Sequence, residues 1–493
     1  MSKAAVNREP GRLRKALDDL YEAVEHDAAK QMTEWRPRID RKVFLPSAEN
    51  LARYLALRHH DIRPLQRSLA RYGLSSLGRL ESRVAPTLGA VTASLAALEG
   101  KKSVHPSAQA FFAGERRLAA QSRGLFGAVD HKASIALLVT CPSEAADDPQ
   151  FMMDLAKRRV EAVRINCAHD GADAWSRMVG HLRAACAATG YHMKIFMDVA
   201  GPKIRTAEVR VGKHKKAYKG DLMAITPIGD IDLAGCDAQI AVECTLREVF
   251  STAKVGERVF YDDGKLGAEI EVVESWGLMA RVTQAKESGV KLKSEKALNF
   301  PDTELAIPAL TPEDLEVLPF ITEHADGVEF SFVQSADDVR QLQAALAELR
   351  PKDWQKLALV LKIETARGLT QLPDIVVQAA GQQPTAIMIA RGDLSVEIGF
   401  ARVAEIQEEL LWLADAASVP SIWATQVLEN LVKKGLPSRG EMTDAAMSAR
   451  AECVMLNKGP HLLEAIDQLR LLFDRMDAHQ HKKFAKLRRL HSW

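Results

Sequence analysis

The chain has 493 residues, of which 47% are hydrophobic and 27% charged, and its formal net charge is +1. A charge so close to neutral gives no global reason to expect nucleic acid or an acidic surface as a partner. No apolar run approaches the ~20 residues that cross a bilayer, and the six cysteines include no Cys-x-x-Cys pair. We therefore expect a cytoplasmic protein with free thiols, without a disulfide framework, a zinc site or a transmembrane segment.

The first part of the chain, residues 1–130, is predicted to be a helical accessory domain. Leu13 and Leu17 recur at helix spacing, Ser47 is placed to cap a second helix, and residues 64–77 form a further helical stretch. The segment contains no cluster of catalytic residue types. An accessory or interaction role is therefore expected for it.

After residue 130, short apolar runs alternate with longer amphipathic stretches, a pattern typical of parallel strands connected by helices. Residues 172–188, 336–348 and 403–417, for example, have the spacing of apolar residues that predicts helices. The eight apolar runs are 134–140, 162–166, 193–198, 327–332, 357–363, 385–390, 420–424 and 453–456. An open doubly wound sheet gives similar patterns, but a count of eight favours an α/β fold whose strands close into a (β/α)₈ TIM barrel. The barrel is predicted over residues 131–206 and 305–478.

One connection is too long to be a loop. Residues 207–304, roughly 95 positions between the third and fourth strands, contain β-rich runs and the turn Asp262-Asp263-Gly264. We predict a small inserted β domain on the barrel rim, where it can close over a site as a lid. The chain ends in a basic tail, 479–493, whose residues 482–491 fit an amphipathic helix. Packing on the protein itself is favoured over docking to anionic lipid or RNA.

Polar and charged residues cluster where the predicted strands end, at the edge where barrel active sites lie. Charged groups near a core must be paired or bind something. Six strands that end this way therefore favour one shared site over separate structural ion pairs. The residues concerned are Arg164, Asn166, Asp198, Lys203, Arg205, Ser331, Lys362, Glu364, Gly392, Asp393 and Thr425.

The residue types in this cluster indicate what it binds. The carboxylates of Glu364 and Asp393 suit Mg²⁺ held together with substrate oxygens. The ammonium of Lys362 can offset negative charge on a transferring phosphoryl group or an enolate. Arg164 and Arg205 offer planar forks for phosphate. Together they indicate a phosphorylated acid as the substrate, bound with Mg²⁺.

The sequence resembles the pyruvate kinase family over about residues 132–476. The most specific stretches are Met-Ile-Ala-Arg-Gly-Asp-Leu-Ser-Val-Glu-Ile at 388–398 and Ala-Thr-Gln-Val-Leu-Glu at 424–429. Gly-Pro-Lys-Ile-Arg-Thr at 201–206 and Lys-Ile-Glu at 362–364 agree in order and spacing. The resemblance implies phosphoryl transfer from phosphoenolpyruvate to ADP, giving pyruvate and ATP, with Mg²⁺ or Mn²⁺ as cofactor. We also expect a homo-oligomer with no specific nucleic-acid partner.

The same resemblance implies a role for individual residues. Lys362 is expected to stabilise the transition state, and the enolate of pyruvate is expected to be protonated from the Thr425 side. Glu364 and Asp393 are expected to hold the divalent ion. The expected substrate contacts are those of Arg164, Ser331, Gly392, Asp393 and Thr425, and the expected nucleotide contacts are those of Arg205 and Lys296.

The sequence departs from the family where most members hold K⁺. Asn166, Asp198 and Val199 occupy three of the family's ligand positions, but the serine position is Ala168, which has no side-chain oxygen. Lys203 stands where potassium-dependent members have Glu, and the family's potassium-independent branch has lysine there. We therefore expect activity that needs Mg²⁺ but not K⁺, with the Lys203 ammonium as a fixed positive charge. A compatible alternative is that Lys203 merely pairs with Asp198.

Two larger departures leave other functions open. Residues 456–460 replace the family's usual Ser-Gly-Glu-Thr-Ala-Lys stretch after the eighth strand. Neither the family's C-terminal regulatory domain nor its sugar-phosphate effector site is expected. A Mg²⁺-dependent lyase acting on the pyruvate enolate and a non-catalytic phosphoenolpyruvate sensor are the alternatives. Retention of Lys362 argues against the sensor, and nucleotide binding separates the kinase from both.

Overall fold

The computed structural model describes residues 8–129, 135–211, 215–229, 237–305, 307–482 and 484–485. Its centre is a closed barrel of eight parallel strands, which confirms the predicted α/β barrel. All eight predicted runs form these strands. They are β1 (Ala136–Thr140), β2 (Ala162–Asn166), β3 (Lys194–Val199), β11 (Gly327–Phe330), β12 (Ala358–Ile363), β13 (Thr385–Ala390), β14 (Ser421–Ala424) and β15 (Cys453–Leu456).

The barrel strands read as continuous apolar runs because both of their faces are covered. Every residue of β1 and β12 is buried. Inward side chains such as Leu138, Val360 and Met388 fill the barrel, while outward ones pack under the surrounding helices. The first and last strands pair in parallel, with Ala136 opposite Cys453, and this pairing closes the barrel.

Helices connect the strands and cover the barrel, and three of them begin with a reciprocal capping box. The helices predicted at 172–188, 336–348 and 403–417 are all present. The helices are α7 (Pro149–Lys157), α8 (Ala172–Thr189), α10 (Pro312–His324), α11 (Ala336–Leu349), α12 (Ala366–Thr370), α13 (Leu372–Ala380), α14 (Arg391–Ile398), α15 (Phe400–Ala416), α16 (Glu429–Lys434), α17 (Arg439–Ser448) and α18 (Leu462–Asp477).

The long connection between β3 and β11 contains a second sheet with its own apolar core. A short helix, α9 (Val249–Thr252), lies among its strands. The turn Asp262-Asp263-Gly264 joins the strands Arg258–Tyr261 and Leu266–Glu274 with φ angles of +48°, +57° and +79°, a conformation that Asp and Gly tolerate. The strands are β4 (Thr206–Val211), β5 (Leu222–Pro227), β6 (Ile240–Cys244), β7 (Arg258–Tyr261), β8 (Leu266–Glu274), β9 (Gly277–Ala285) and β10 (Leu298–Asn299), in the sheet order β10-β7-β8-β9-β5-β6-β4.

The region before the barrel is helical, as predicted, but one predicted cap is wrong. Ser47 is buried inside a helix that begins two residues earlier, with Pro46 in its first turn and Phe44 before it. Within the described residues, no helix combines the length and apolar character needed to cross a bilayer. The helices are α1 (Arg8–Trp35), α2 (Leu45–Arg58), α3 (Arg63–Arg71), α4 (Val84–Leu98), α5 (Ala108–Phe111) and α6 (Ala113–Phe126).

These helices share an apolar core with the barrel. Leu51 and Leu88 are fully buried in the cluster that also contains the outward side chains of the barrel strands. The Asn50 amide donates to the carbonyl of Ala416 on α15 at 2.8 Å. At the end of α6, the Phe126 ring enters the barrel interior and lies 6.0 Å from the Phe196 ring. The end of α6 therefore reaches the barrel interior, whereas Leu51 and Leu88 pack on the outer side of the barrel.

Phe126→Ala is expected to lower the free energy of unfolding by about 3–5 kcal/mol, because it removes a fully buried ring and leaves a cavity. Urea unfolding of the full chain measures the change. Phe400→Ala is the matched control, since 74% of Phe400 is exposed, and it should cost under about 1 kcal/mol. Similar small losses in both variants would show that Phe126 does not contribute to barrel packing.

The helix predicted for the tail is wrong where the structure describes it. Gln480–His481 and Phe484–Ala485 form two short antiparallel strands, β16 and β17. Lys482 lies in the turn between them with φ +55° and forms an ion pair with Glu452. That tertiary contact overrides the helical period of the sequence. Residues 483 and 486–491 of the predicted helix lie outside the described residues.

Candidate active site

A buried ammonium group lies at the centre of the predicted site. Lys362 Nζ is 2.7 Å from Ser331 Oγ and 3.3 and 3.4 Å from the two carboxylate oxygens of Asp198. It is also 3.3 Å from Glu364 Oε1. Burial acts to lower the pKa of Lys362, but the carboxylates of Asp198 and Glu364 outweigh it and raise this pKa above its usual value. The structure thus fixes a positive charge where β3, β11 and β12 end.

Arg164 supplies a second buried cation beside Lys362. Its Nε donates to Glu329 Oε2 at 2.9 Å, and its Nη2 donates to Asp198. Among the residues that the structure describes, its Nη1 makes only a long contact of 3.4 Å, to Thr140 Oγ1. Burial acts to raise the pKa of Asp198, but Arg164 and Lys362 hold it below its usual value. Nη1 is therefore the nitrogen of this guanidinium with the most capacity left for an anion.

Glu364 and Asp393 bring two negative charges to the same end of the barrel. Glu364 Oε2 accepts the N–H of Phe332 at 2.7 Å. Burial raises the pKa of Glu364; Lys362 opposes the rise, and the nearby Asp393 carboxylate adds to it. A bound divalent cation would relieve the repulsion between these two carboxylates. The described residues contain no group of three or more His, Cys, Asp or Glu side chains arranged for a metal. The two carboxylates fit a partial ligand set that Mg²⁺ completes with substrate and water oxygens.

Lys203 lies on the rim of the site and pairs with Asp393 instead of Asp198. Its Nζ is 3.4 Å from Asp393 Oδ1, so the proposed pairing with Asp198 is not what the structure has. The Asn166 side-chain oxygen accepts the N–H of Ala168 at 3.0 Å. The Val199 carbonyl accepts the hydroxyl of Ser331 at 2.6 Å. These contacts engage oxygens predicted to face a monovalent cation, and they place the Lys203 charge beside Asp393.

The first turn of α14, directly after β13, and the segment after β14 bring Gly392 and Thr425 together. The Gly392 N–H donates to Thr425 Oγ1 at 2.9 Å. Thr425 has φ +63°, a left-handed conformation that is strained for a β-branched residue. The hydroxyl accepts from Gly392 and keeps its own proton for another partner. The structure therefore joins two of the predicted substrate contacts in one hydrogen bond.

Arg391 holds the strained segment at Thr425 in place. Its Nε donates to the Ala424 carbonyl at 3.0 Å, and its Nη2 donates to the Thr425 carbonyl at 2.6 Å. The guanidinium also pairs with Asp444 and lies 4.5 Å from the centre of the Trp423 ring. A planar fork with this many partners fixes the position of the Thr425 hydroxyl.

The two predicted nucleotide residues lie at the junction between the inserted sheet and the barrel. Arg205 forms an antiparallel bridge with Ala297, and its Nη1 donates to the Glu295 carbonyl at 3.1 Å. Lys296 Nζ is 3.4 Å from Asp262 Oδ1 in the β7–β8 turn. A cavity of about 570 Å³ lies next to this junction, lined by both sheet and barrel residues. Its lining includes Lys203, Asn299, Phe332, Thr365 and Glu397.

Sequence reasoning missed three residues that shape the site. Glu329 could have been noticed as a charged residue inside a short apolar strand, because such a residue needs a buried partner. Arg391 lies in the stretch 388–398 that carries the family resemblance, but the sequence assigns it no role. Asp444 gave no signal, because it lies 53 positions from Arg391 and only the fold brings the two together.

Comparison with known proteins agrees with this arrangement. Residues 132–460 match the family model "Pyruvate kinase, barrel domain". The chain is similar to pyruvate kinase PKLR of Rattus norvegicus, with 28% identity over 64% of this chain and 55% of the relative. It is similar to the pyruvate kinase of Eimeria tenella, with 30% identity over 63% of this chain and 56% of the relative. For the pyruvate kinase of Aeropyrum pernix the identity is 28%, over 65% of each chain.

The family match contains all eight barrel strands, the inserted sheet and every predicted site residue, whereas the first helices lie outside it. The chain spans little more than half the length of the first two of these relatives. The family model nevertheless covers well over half of this chain. Together with the closed eight-stranded barrel, this match shows that the chain belongs to the pyruvate kinase family.

Proposed function

We propose that this protein transfers a phosphoryl group from phosphoenolpyruvate to ADP, giving pyruvate and ATP, with Mg²⁺ or Mn²⁺ and without a need for K⁺. The observation that carries the proposal is the buried Lys362 ammonium. It lies within 3.4 Å of Ser331, Asp198 and Glu364. A fixed cation among these groups suits a reaction in which negative charge moves from phosphate to enolate.

Each cation has a separate task in this proposal. Arg164 binds the substrate phosphate through Nη1, since its other two nitrogens are held by carboxylates. Lys362 stabilises the charge that spreads over the phosphoryl oxygens during transfer. Ser331 orients the ammonium by accepting its hydrogen bond. Because these groups are buried and already ordered, little reorganisation is needed when the substrate binds.

Glu364 and Asp393 are the residues that would hold the divalent ion. When bound, that ion supplies Lewis-acid charge to substrate oxygens. The Thr425 hydroxyl, fixed by the Gly392 N–H, is placed to pass a proton towards the enolate, through water. The Arg205 and Lys296 cations at the junction with the inserted sheet would bind the nucleotide phosphates. Closure of that sheet over the barrel would exclude water from the transfer.

Independence from K⁺ is expected because Lys203 places a permanent ammonium beside Asp393. Turnover measured with Mg²⁺ and tetramethylammonium salts should agree within about twofold with turnover in K⁺. Lys203→Glu removes the fixed charge and adds a negative one. It should cost about tenfold or more in kcat without K⁺, and added K⁺ should restore part of the loss.

Lys194→Glu is the matched control for this experiment, since it makes the same charge change at the other end of β3, where Lys194 pairs with Asp326 at 2.8 Å. It should remain independent of K⁺. Wild-type activity that disappears when K⁺ and Na⁺ are both replaced by the organic cation would contradict the role given to Lys203.

The lyase and the sensor remain the alternatives, because residues 456–460 depart from the family. Binding of Mg·ADP, measured by calorimetry, separates the kinase from both. A cytoplasmic location and assembly of the chain with copies of itself stay predictions.

A further inference from the structure

Glu329 is a buried carboxyl group to which the reaction proposed above assigns no role. It lies within β11 and has no exposed surface. Its Oε2 accepts the Nε–H of Arg164 at 2.9 Å. Among the described residues, its Oε1 has no hydrogen-bond partner, although it is also buried. A buried, charged oxygen without a hydrogen-bond partner destabilises the folded protein. The Glu329 carboxyl group is therefore expected to be protonated under some conditions.

The surroundings of Glu329 contain charges of both signs. The strand register places it beside Asp198 on β3. Arg164 on β2 and Lys362 on β12 face it with positive charge. The Cys453 thiol of β15 also lies close to it; burial raises the pKa of that thiol, and the charge of Glu329 contributes to the rise. Burial raises the pKa of Glu329 to about 7; Arg164 and Lys362 act against the rise, and Asp198 adds to it.

Two carboxylates already balance the charge of Arg164, with Glu329 at Nε and Asp198 at Nη2. A phosphate that binds at Nη1 therefore meets little free positive charge from this guanidinium. Protonation of Glu329 at Oε1 removes one of the two negative charges. The Oε2 atom can still accept the Nε–H after that protonation, so Arg164 stays in place.

On the basis of the proposed function, we propose that Glu329 is a positioning residue for Arg164 that takes up a proton when the substrate phosphate binds. One proton from solvent is added to the unpartnered Oε1 for each phosphoenolpyruvate bound, and no bond to the substrate is formed. Below about pH 6 the carboxyl group is already protonated in the free protein, so binding takes up none. By about pH 8 it is ionised, and binding must pull the proton from solvent. Substrate affinity therefore falls as the pH rises above neutrality.

Calorimetric titration of the full chain with phosphoenolpyruvate and Mg²⁺ tests this coupling. At pH 8 the substrate phosphate is fully ionised, so the heats in two buffers of different ionisation enthalpy count protons taken up by the protein. Wild type is expected to take up about one proton per substrate bound, and Glu329→Gln about none. Glu329→Gln keeps an acceptor for the Arg164 Nε–H. It should bind about tenfold more tightly than wild type at pH 8 and about equally at pH 6.

The pH profile of the kinetic constants gives a second readout. The rise in the KM for phosphoenolpyruvate between pH 6 and 8 should be lost in Glu329→Gln, with kcat changed by less than about twofold, because Lys362 is untouched. Glu161→Gln is the matched control. Glu161 is a buried carboxyl at the amino end of β2, and it pairs with Arg470 at 2.6 Å. This variant should take up protons as wild type does.

Three results would overturn the inference. Wild type that binds phosphoenolpyruvate at pH 8 without taking up a proton refutes it with no variant needed. Equal proton uptake in wild type and Glu329→Gln assigns the proton to another group. Failure of wild type to bind phosphoenolpyruvate with Mg²⁺ at any pH overturns the proposed function itself, which the first two results leave intact.

Discussion

Replacement of Lys362 by Met is expected to lower kcat for pyruvate formation by about a thousandfold or more. Methionine fills a similar volume but removes the ammonium that lies 2.7 Å from Ser331 and 3.3 Å from Glu364. Affinity for phosphoenolpyruvate should change by less than about tenfold, because Arg164 still offers its Nη1 to the phosphate. Steady-state kinetics and a binding titration separate the two effects.

The control for this variant is Lys356→Met, just before the same strand, where 78% of the lysine side chain is exposed. It should retain wild-type kcat within about twofold. Removing Lys362 leaves Asp198 and Glu364 without their shared cation, so thermal unfolding must confirm that the variant is folded at the assay temperature. A folded Lys362→Met enzyme with more than about a tenth of wild-type kcat would exclude Lys362 as the group that stabilises the transition state.

The second large effect is expected for Glu364→Gln, which should weaken divalent-ion binding on the order of a hundredfold. Glutamine keeps the shape of the side chain and an oxygen that can accept the Phe332 N–H, which Glu364 accepts at 2.7 Å. It removes the charge that, with Asp393, would attract the metal. Titration with Mn²⁺, followed by electron paramagnetic resonance of the free ion, measures the affinity without reference to activity.

Glu161→Gln again serves as the control, since it neutralises a buried glutamate at the opposite end of the barrel. Its Mn²⁺ affinity should equal that of wild type. Unchanged Mn²⁺ affinity in Glu364→Gln would show that the metal is held elsewhere, and the role of Asp393 would then have to be tested by itself.

The barrel could be predicted because its strands are buried on both faces. A run such as 385–390 consists of six apolar or β-forming residues, and a strand covered on both faces is the structure that such a short run most readily forms. The observed β13 has the predicted bounds. Capping and tail structure were less predictable. Ser47 has a good capping side chain, but Pro46 sets the helix start before it. The tail has helical periodicity, but the ion pair of Lys482 with Glu452 depends on contacts that the local sequence does not contain.

The candidate site could be assembled from the sequence wherever a residue lies at the end of a strand. Lys362, Glu364 and Asp198 follow this rule because parallel strands deliver their last residues to one edge. Partner identities could not be predicted in the same way. Lys203 follows β3 by only a few residues, yet its ammonium pairs with Asp393 in the first turn of α14, 190 positions along the chain. The buried contact of Glu329 with Arg164 likewise depends on side chains that meet only across the closed barrel.

In the proposed function, the phosphoryl group passes from phosphoenolpyruvate to ADP on this barrel. Phosphorus NMR of the full chain with both substrates and Mg²⁺, in tetramethylammonium buffer, follows that group directly. We expect the phosphoenolpyruvate resonance to be replaced by that of the γ-phosphate of ATP, with pyruvate formed in equal amount, and we expect Lys362→Met to stop both. Loss of phosphoenolpyruvate with no ATP formed, or binding of phosphoenolpyruvate with no turnover at all, would contradict the proposed function.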